Sequence, residues 1–225
     1  MPLFERIDRS AAFGQCLAEG AGATARYTHR VPGNGDVRGL VSDLVAAVRP
    51  FDQREAADQA DILEWVASGQ PLFRTVPPVT PPKHLVVYFV PVDAANRCLL
   101  LGDHRKSGLW LPPGGHVEDG EDPRQAVIRE MREELGVPAE FADDKPLFLS
   151  VTPTNGPENH LDVDLWFVVR VARKAQLNPD PREFKDVRWF DVDERDWPTG
   201  PYDPEMHRFA AKLAAGQRPR GGEVT

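Results

Sequence analysis

The chain has 225 residues, with 27 Lys and Arg against 35 Asp and Glu and a formal net charge of −8; 41% is hydrophobic and 28% charged. That composition excludes a wholly disordered chain, and the length suits one domain with extensions or two small ones. The acidity argues against a broad basic surface for DNA or RNA, so no nucleic-acid partner is expected, but a phosphate-bearing substrate is not excluded because bound metal reverses the sign of a site.

Residues 1–39 are rich in small and polar residues and read as a loosely ordered lead-in with one short helix near residues 10–18. No secretory signal is visible in residues 1–20, and the longest apolar stretch, residues 85–90, is far too short to cross a bilayer. The expectation is a cytoplasmic protein with no membrane partner. Cys16 and Cys98 are two cysteines only, which fits buried thiols in a reducing compartment. Over residues 40–67 the apolar residues recur at helical spacing: Leu40, Leu44, Val45 and Val48, then Ile62, Leu63 and Val66. Pro50 divides them into two helices. Five prolines between Pro71 and Pro82 then make a stiff connector, so residues 40–79 read as a helical extension ending at a domain boundary.

After the connector the period changes. Residues 85–92 and 98–101 read as a strand pair about a turn at 93–97, residues 122–135 as a helix, and residues 147–151, 161–171 and 187–190 as strands. Residues 202–215 read as a last helix before a polar tail. The segments divide into a main domain at 80–200 and a C-terminal helix and tail at 201–225. The expected fold class is α/β, a mixed sheet with helices on two faces.

Residues 115–137, GHVEDGEDPRQAVIREMREELGV, carry the chemistry. Asp122 suits an N-cap, Pro123 the first helical position, Gln125 the third position of a capping box, and Gly136 the C-cap. Val127, Met131 and Leu135 make the buried stripe, with Ile128 at its edge. Glu130, Glu133 and Glu134 share a neighbouring face, and clustered carboxylates select a hard cation such as Mg²⁺ or Mn²⁺. Gly114 and Gly115 before the helix let the backbone turn tightly and expose carbonyls.

The segment resembles the signature of the Nudix hydrolases, G-x5-E-x7-R-E-U-x-E-E-x-G-U with U aliphatic. Gly115, Glu121, Arg129, Glu130, Met131, Glu133, Glu134, Gly136 and Val137 match it, so every fixed position fits. The wider resemblance covers residues 80–200, including Trp189-Phe190 followed by Asp191 and Glu194, and leaves the first 79 residues unexplained. It implies a Nudix α/β/α sandwich and hydrolysis of a nucleoside diphosphate linked to another moiety, water attacking one phosphorus with Mg²⁺ or Mn²⁺ as cofactor. It implies that Glu133 and Glu134 ligate metal, that Glu130 is a further ligand or the general base, and that the carbonyl of Gly114 or Gly115 is another ligand. Glu121 and Arg129 become a supporting charge pair. Metal-bound water is more acidic, and a neighbouring carboxylate takes its proton.

Other residues are candidates for substrate contact. His160, Asp162, Asp164 and Trp166 alternate with Leu161, Val163, Leu165 and Phe167, so they share one strand face, which either lines the cleft or meets solvent. Glu158 is an extra-motif ligand or a loop acid. His104, Arg105 and Lys106 either hold terminal phosphates or form an exposed basic turn. His116 follows Gly115 directly and is within reach of the site. Trp189 and Phe190 either stack on a base or pack in the core. Pro153, sixteen positions after Val137, resembles a marker of ADP-ribose hydrolases in this family; nucleoside triphosphates remain equally open. Two alternatives to a small-molecule hydrolase stand: a non-catalytic Nudix-like nucleotide sensor, and an isomerase of the isopentenyl diphosphate type, which needs a reactive cysteine in the cleft. The N-terminal helices cap the sheet, form a homodimer interface or shape substrate entry. Residues 115–137 hold a net −4, half of the chain's charge, so the acidity itself predicts metal dependence.

Overall fold

The computed structural model describes residues 34–74, 82–154, 160–193, 197 and 200–216. The expected short helix near 10–18, Cys16, Glu158 and Glu194 lie outside the described residues.

Helix α1 spans Asn34–Ala46, starting six residues before the Leu40 stripe. Val37, Val41, Leu44 and Val45 are its buried stripe, with Leu40 partly buried and Val48 buried just past its end. Helix α2, Gln53–Ala67, is capped by Asp52, whose side chain accepts the Glu55 N–H. Strands β1, Lys83–Asp93, and β2, Cys98–His104, form the expected hairpin. Two short strands unanticipated by the alternation follow: β3, Trp110–Leu111, and β4, Gly114–His116. Then come α3, Pro123–Leu135, β5, Phe148–Pro153, β6, Leu161–Arg170, β7, Phe184–Asp191, and α4, Met206–Gly216.

The sheet is mixed. β1 and β6 run parallel from Lys83↔Leu161 to Val92↔Arg170, while the other named pairs are antiparallel. β1 and β2 pair only at their hairpin end, Val92↔Leu99 and Asp93↔Cys98, and then splay apart. β4 takes up the freed edge of β1 at Val86, Val87 and Tyr88, and β3 that of β2 at Gly102 and Asp103. The splay opens the floor of a cleft.

Alternation along the strands divides the interior into two layers. Leu85, Val87 and Phe89 of β1 and Val163, Leu165 and Phe167 of β6 face α1, α2 and α3. Val90 and Val92 with Trp166 and Val168 face the other way, against Met206, Phe209 and Leu213 of α4. Helices therefore cover both faces of the sheet, the sandwich anticipated from the sequence.

Polar bonds tie α2 and α4 together beyond the β5 edge. Glu55, fully buried, accepts the Leu149 N–H of β5 at 3.1 Å, the Phe51 N–H at 2.6 Å and the Lys212 ammonium at 2.6 Å. Arg208 donates to both carboxylate oxygens of Asp52, at 2.9 and 2.5 Å, and pairs with Glu205, which also meets Arg54 at 2.5 Å. One exposed-edge N–H of β5 is thereby satisfied by a side chain.

Candidate active site

The segment 115–137 folds as its sequence dictates, with one exception. Asp122 is the N-cap, Pro123 opens α3, and Gly136 closes it with φ +70°. The Asp122 side chain accepts the Arg124 N–H at 2.9 Å, while Gln125 Nε2 is buried and makes no hydrogen bond among the described residues. The Asp122 carboxylate thus caps the second helical N–H rather than the third that a capping box uses, and the Gln125 N–H bonds the Asp122 carbonyl at 2.7 Å.

Gly114 and Gly115 are required by packing. A Cβ on Gly114 would strike the Val87 carbonyl oxygen and Tyr88, and one on Gly115 would strike the Glu130 carboxylate. Their absence lets β4 lie directly against β1 and against α3. Glu134 Oε2 accepts the Gly114 N–H at 2.9 Å. Burial, then the neighbouring Glu130 charge, pushes the Glu134 carboxyl up to about 9 against the opposing Gly114 hydrogen bond. Burial also raises Glu130, opposed by Arg129.

Arg129 organises the loop and the helix. It donates to Glu121 at 3.1 and 2.9 Å, to Glu130 at 2.5 Å and to the His116 carbonyl at 3.1 Å. Bidentate pairing of this kind fixes direction as well as charge. Glu133 stands apart: its side chain is 60% exposed and lies 3.7 Å from Arg129. Glu130 and Glu134 line the cavity and Glu133 is not among its wall residues.

That cavity encloses about 1100 Å³ between the splayed strands. Its wall includes Gly114, Gly115, His116 and Arg129 beside the two glutamates. His160, Asp162 and Asp164 also face it, which decides between the two readings of that strand side. Asp164 is buried and accepts from Ser150 at 2.8 Å and Thr152 at 2.9 Å, while burial raises its carboxyl. Further along the same face the cleft becomes core: Trp166 is fully buried and stacks on Phe209 at 5.2 Å. The basic turn is split. His104 and Lys106 reach the wall, while Arg105 turns away to donate to the Pro181 carbonyl at 2.7 Å. Phe190 packs against Trp110 and Trp197, and Trp189 against the first core layer, so neither is on the cavity wall.

Several wall residues carried no sequence signal. Tyr88 sits within an apolar run, and Asp203 lies 66 or more positions from the motif. Asp203 is buried, accepts the Glu205 N–H at 2.8 Å, and is pushed up to about 6 by burial. Its Asp203-Pro204 dipeptide repeats Asp122-Pro123, a cue to the turn before α4 but not to its place in the cleft. His84, fully buried at the head of β1, lies 4.9 Å from the His116 ring and 4.6 Å from that of His160. Burial pushes His116 down to about 4. Cys98 sits at the β1–β2 hairpin end, off the cavity wall, with its thiol pushed up to about 11 by burial. The isomerase reading thus lacks its cysteine in the cleft among the described residues.

Gly114, Gly115, Glu130 and Glu134 fit a hard divalent cation. They bring two carboxylates that burial makes reluctant to ionise against a loop with no side chains to obstruct approach.

The NUDIX domain family model matches residues 82–213. An RNA pyrophosphohydrolase of Cereibacter sphaeroides is 36% identical over 136 residues, covering 54% of this chain and 83% of that protein. Nudix hydrolase 25 of Arabidopsis thaliana is 32% identical over 105 residues, covering 39% of this chain, and the chain spans 60% of that relative's length. Among solved structures, a hydrolase of the NUDIX family from Clostridium perfringens aligns over 59% of this chain and 97% of its own, at 20% identity and a TM-score of 0.47.

Proposed function

The chain belongs to the Nudix family, and on that premise we propose that it is a divalent-metal-dependent pyrophosphohydrolase. Its substrate is a nucleoside diphosphate linked to another moiety, a nucleoside triphosphate, an ADP-ribose or a related compound. The observation that carries this reading is the convergence of Glu130, Glu134, Gly114 and Gly115 at one wall of a cavity of about 1100 Å³.

Glu134, with a carbonyl of Gly114 or Gly115, would hold the cation, with Glu130 as a further ligand or as the general base, and Glu133 is an outlying carboxylate beside them. Mg²⁺ or Mn²⁺, when bound, offsets the charge of the diphosphate oxygens and acidifies water. Arg129 holds Glu130 at 2.5 Å and Glu121 at 2.9 Å, which fixes the direction of the Glu130 carboxylate. In the general-base role Glu130 takes the proton from the attacking water, and burial raises its carboxyl in the direction that favours proton uptake. His104 and Lys106, also on the cavity wall, bind outer phosphate oxygens. His160, Asp162 and Asp164 line the substrate side.

A substrate panel tests the reading: nucleoside triphosphates, ADP-ribose, dinucleoside polyphosphates and a 5′-triphosphorylated RNA, each with Mg²⁺ or Mn²⁺, with products identified. Release of pyrophosphate, phosphate or two monophosphates assigns the subclass. The RNA arm is included because of the Cereibacter sphaeroides relative. Absence of turnover across the whole panel would transfer the assignment to a nucleotide sensor.

A further inference from the structure

We propose that His84, His116, His160 and Asp162 form a second cation site, separate from the Glu130–Glu134 pair, that takes a nitrogen-preferring divalent ion of the Zn²⁺ class. One ligand atom from each of the four lies within 4.8 Å of all the others. Asp162 Oδ1 is 3.2 Å from His84 Nε2 and 3.4 Å from His160 Nε2. Ligands about 2.0–2.1 Å from a tetrahedral ion stand about 3.3–3.4 Å apart, so these two separations already match a tetrahedral edge. The wider separations close by side-chain shifts of about 1 Å.

The donor chemistry points the same way. Three imidazoles gather around the single carboxylate of Asp162, the His84 ring lying beside both of the others and tilted to them by 37° and 32°. Such a set is poor in charge and rich in nitrogen lone pairs. Imidazole selects Zn²⁺ and its neighbours, whereas carboxylates and carbonyls select Mg²⁺. The two sites therefore divide cations by ligand type, although both border the same cleft. Arg74 also touches the cluster, with Nη1 3.4 Å from His116 Nε2, and the ion takes the place of that contact.

Four protein ligands make a closed site of the structural kind. They come from the head of β1, from β4 and from the start of β6, and His84 faces Asp162 directly in the parallel register. His116 follows Gly115, so an ion here fastens the glycine pair to the sheet. It acts as a clamp on the loop that presents the hydrolytic cation.

The test is metal binding by the full chain, freed of metal and titrated with Co²⁺ and then Zn²⁺. The expected result is one equivalent of Co²⁺ giving the strong visible absorption of a tetrahedral nitrogen-rich site, displaced by Zn²⁺. That signal persists in excess Mg²⁺ and in Glu134→Gln, and His160→Gln weakens binding at least about tenfold, since even outer-shell changes cost that much. His84→Asn gives the same loss where a circular dichroism melt shows it folded; His160→Gln, on the cavity wall, stands as the independent variant. A weak octahedral spectrum, competition by Mg²⁺, loss of the signal in Glu134→Gln, or unchanged affinity in His160→Gln overturns the proposal. The readout is a spectrum rather than turnover, so its failure is separate from failure of the hydrolase reading.

Discussion

Glu134 accepts the backbone N–H of Gly114 at 2.9 Å. The last carboxylate of α3 and the first glycine of β4 are thus one unit, although 20 positions separate them in the chain. Helix and loop are locked together at the point where a cation and a diphosphate are to meet.

Glu134→Gln keeps that hydrogen bond, because an amide oxygen accepts as a carboxylate does, but loses the anionic ligand. Turnover with Mg²⁺ should fall by about 10²–10⁴-fold. The melting temperature of the metal-free protein should hold or rise, since burial already disfavours the ionised carboxyl. Steady-state kinetics beside a thermal melt check both; wild-type turnover would remove Glu134 from the site.

The two glycines should respond differently to alanine. At Gly115 the added methyl meets the Glu130 carboxylate, the far end of a flexible side chain that can swing aside. Stability should change by less than about 1 kcal/mol while kcat drops, because Glu130 has left its place beside Arg129. At Gly114 the methyl meets the Val87 carbonyl, which is backbone, and unfolding free energy should fall by about 1–3 kcal/mol. Denaturant melts of both variants separate the cases. Equal destabilisation would show that the loop shifts as a body.

Much of the site was legible because local chemistry encodes it. Asp122-Pro123 and Gly136 fix the ends of α3, and i, i+4 spacing puts Glu130 and Glu134 on one face. The exposure of Glu133 was not legible: the same spacing rule groups it with them, yet its side chain is 60% exposed beside Arg129. The short strands β3 and β4 have too few residues for alternation to register, yet β4 carries the glycine pair. His84 and Asp203 were invisible because strand register sets His84 against His116 and His160, and chain return, not proximity in sequence, brings Asp203 to the cleft. The face shared by Asp162, Asp164 and Trp166 was read correctly as a face, but its passage from cleft to core depends on where α4 lands.

Cation affinity at the glutamate pair should depend on pH. The Glu134 carboxyl, pushed up to about 9 by burial, holds its proton across the neutral range when no metal is present. A proton and a cation then compete for the same oxygens, so apparent Mn²⁺ affinity should rise with pH, by up to about tenfold per unit, and level off near pH 9. The linkage to folding has the opposite sign. The native state binds the extra proton between the ordinary carboxylate range and pH 9, so metal-free stability should fall as pH rises through that window. Saturating Mn²⁺ should reverse the fall, and Glu134→Gln should abolish it. Calorimetric titrations and melts at pH 6, 7, 8 and 9 test both slopes; a flat affinity profile would refute the raised pKa.

Glu55 should be the most sensitive position outside the cleft. It is fully buried near the start of α2 and accepts from Phe51, from Leu149 on the β5 edge and from Lys212 on α4. Burial pulls the Lys212 ammonium down from its ordinary range, and the Glu55 carboxylate opposes that. Lys212→Met leaves a buried carboxylate without its cation, and Glu55→Gln leaves a buried cation without its counter-charge. Either should lower unfolding free energy by about 3–5 kcal/mol. Glu55→Gln combined with Lys212→Met removes both charges and keeps an acceptor for Leu149, so it should recover most of the loss. Urea melts of the four proteins measure the coupling. Additive losses would mean that α2 and α4 are held by their apolar faces alone, and that the helices ahead of the Nudix domain are joined to it by packing without this charge pair.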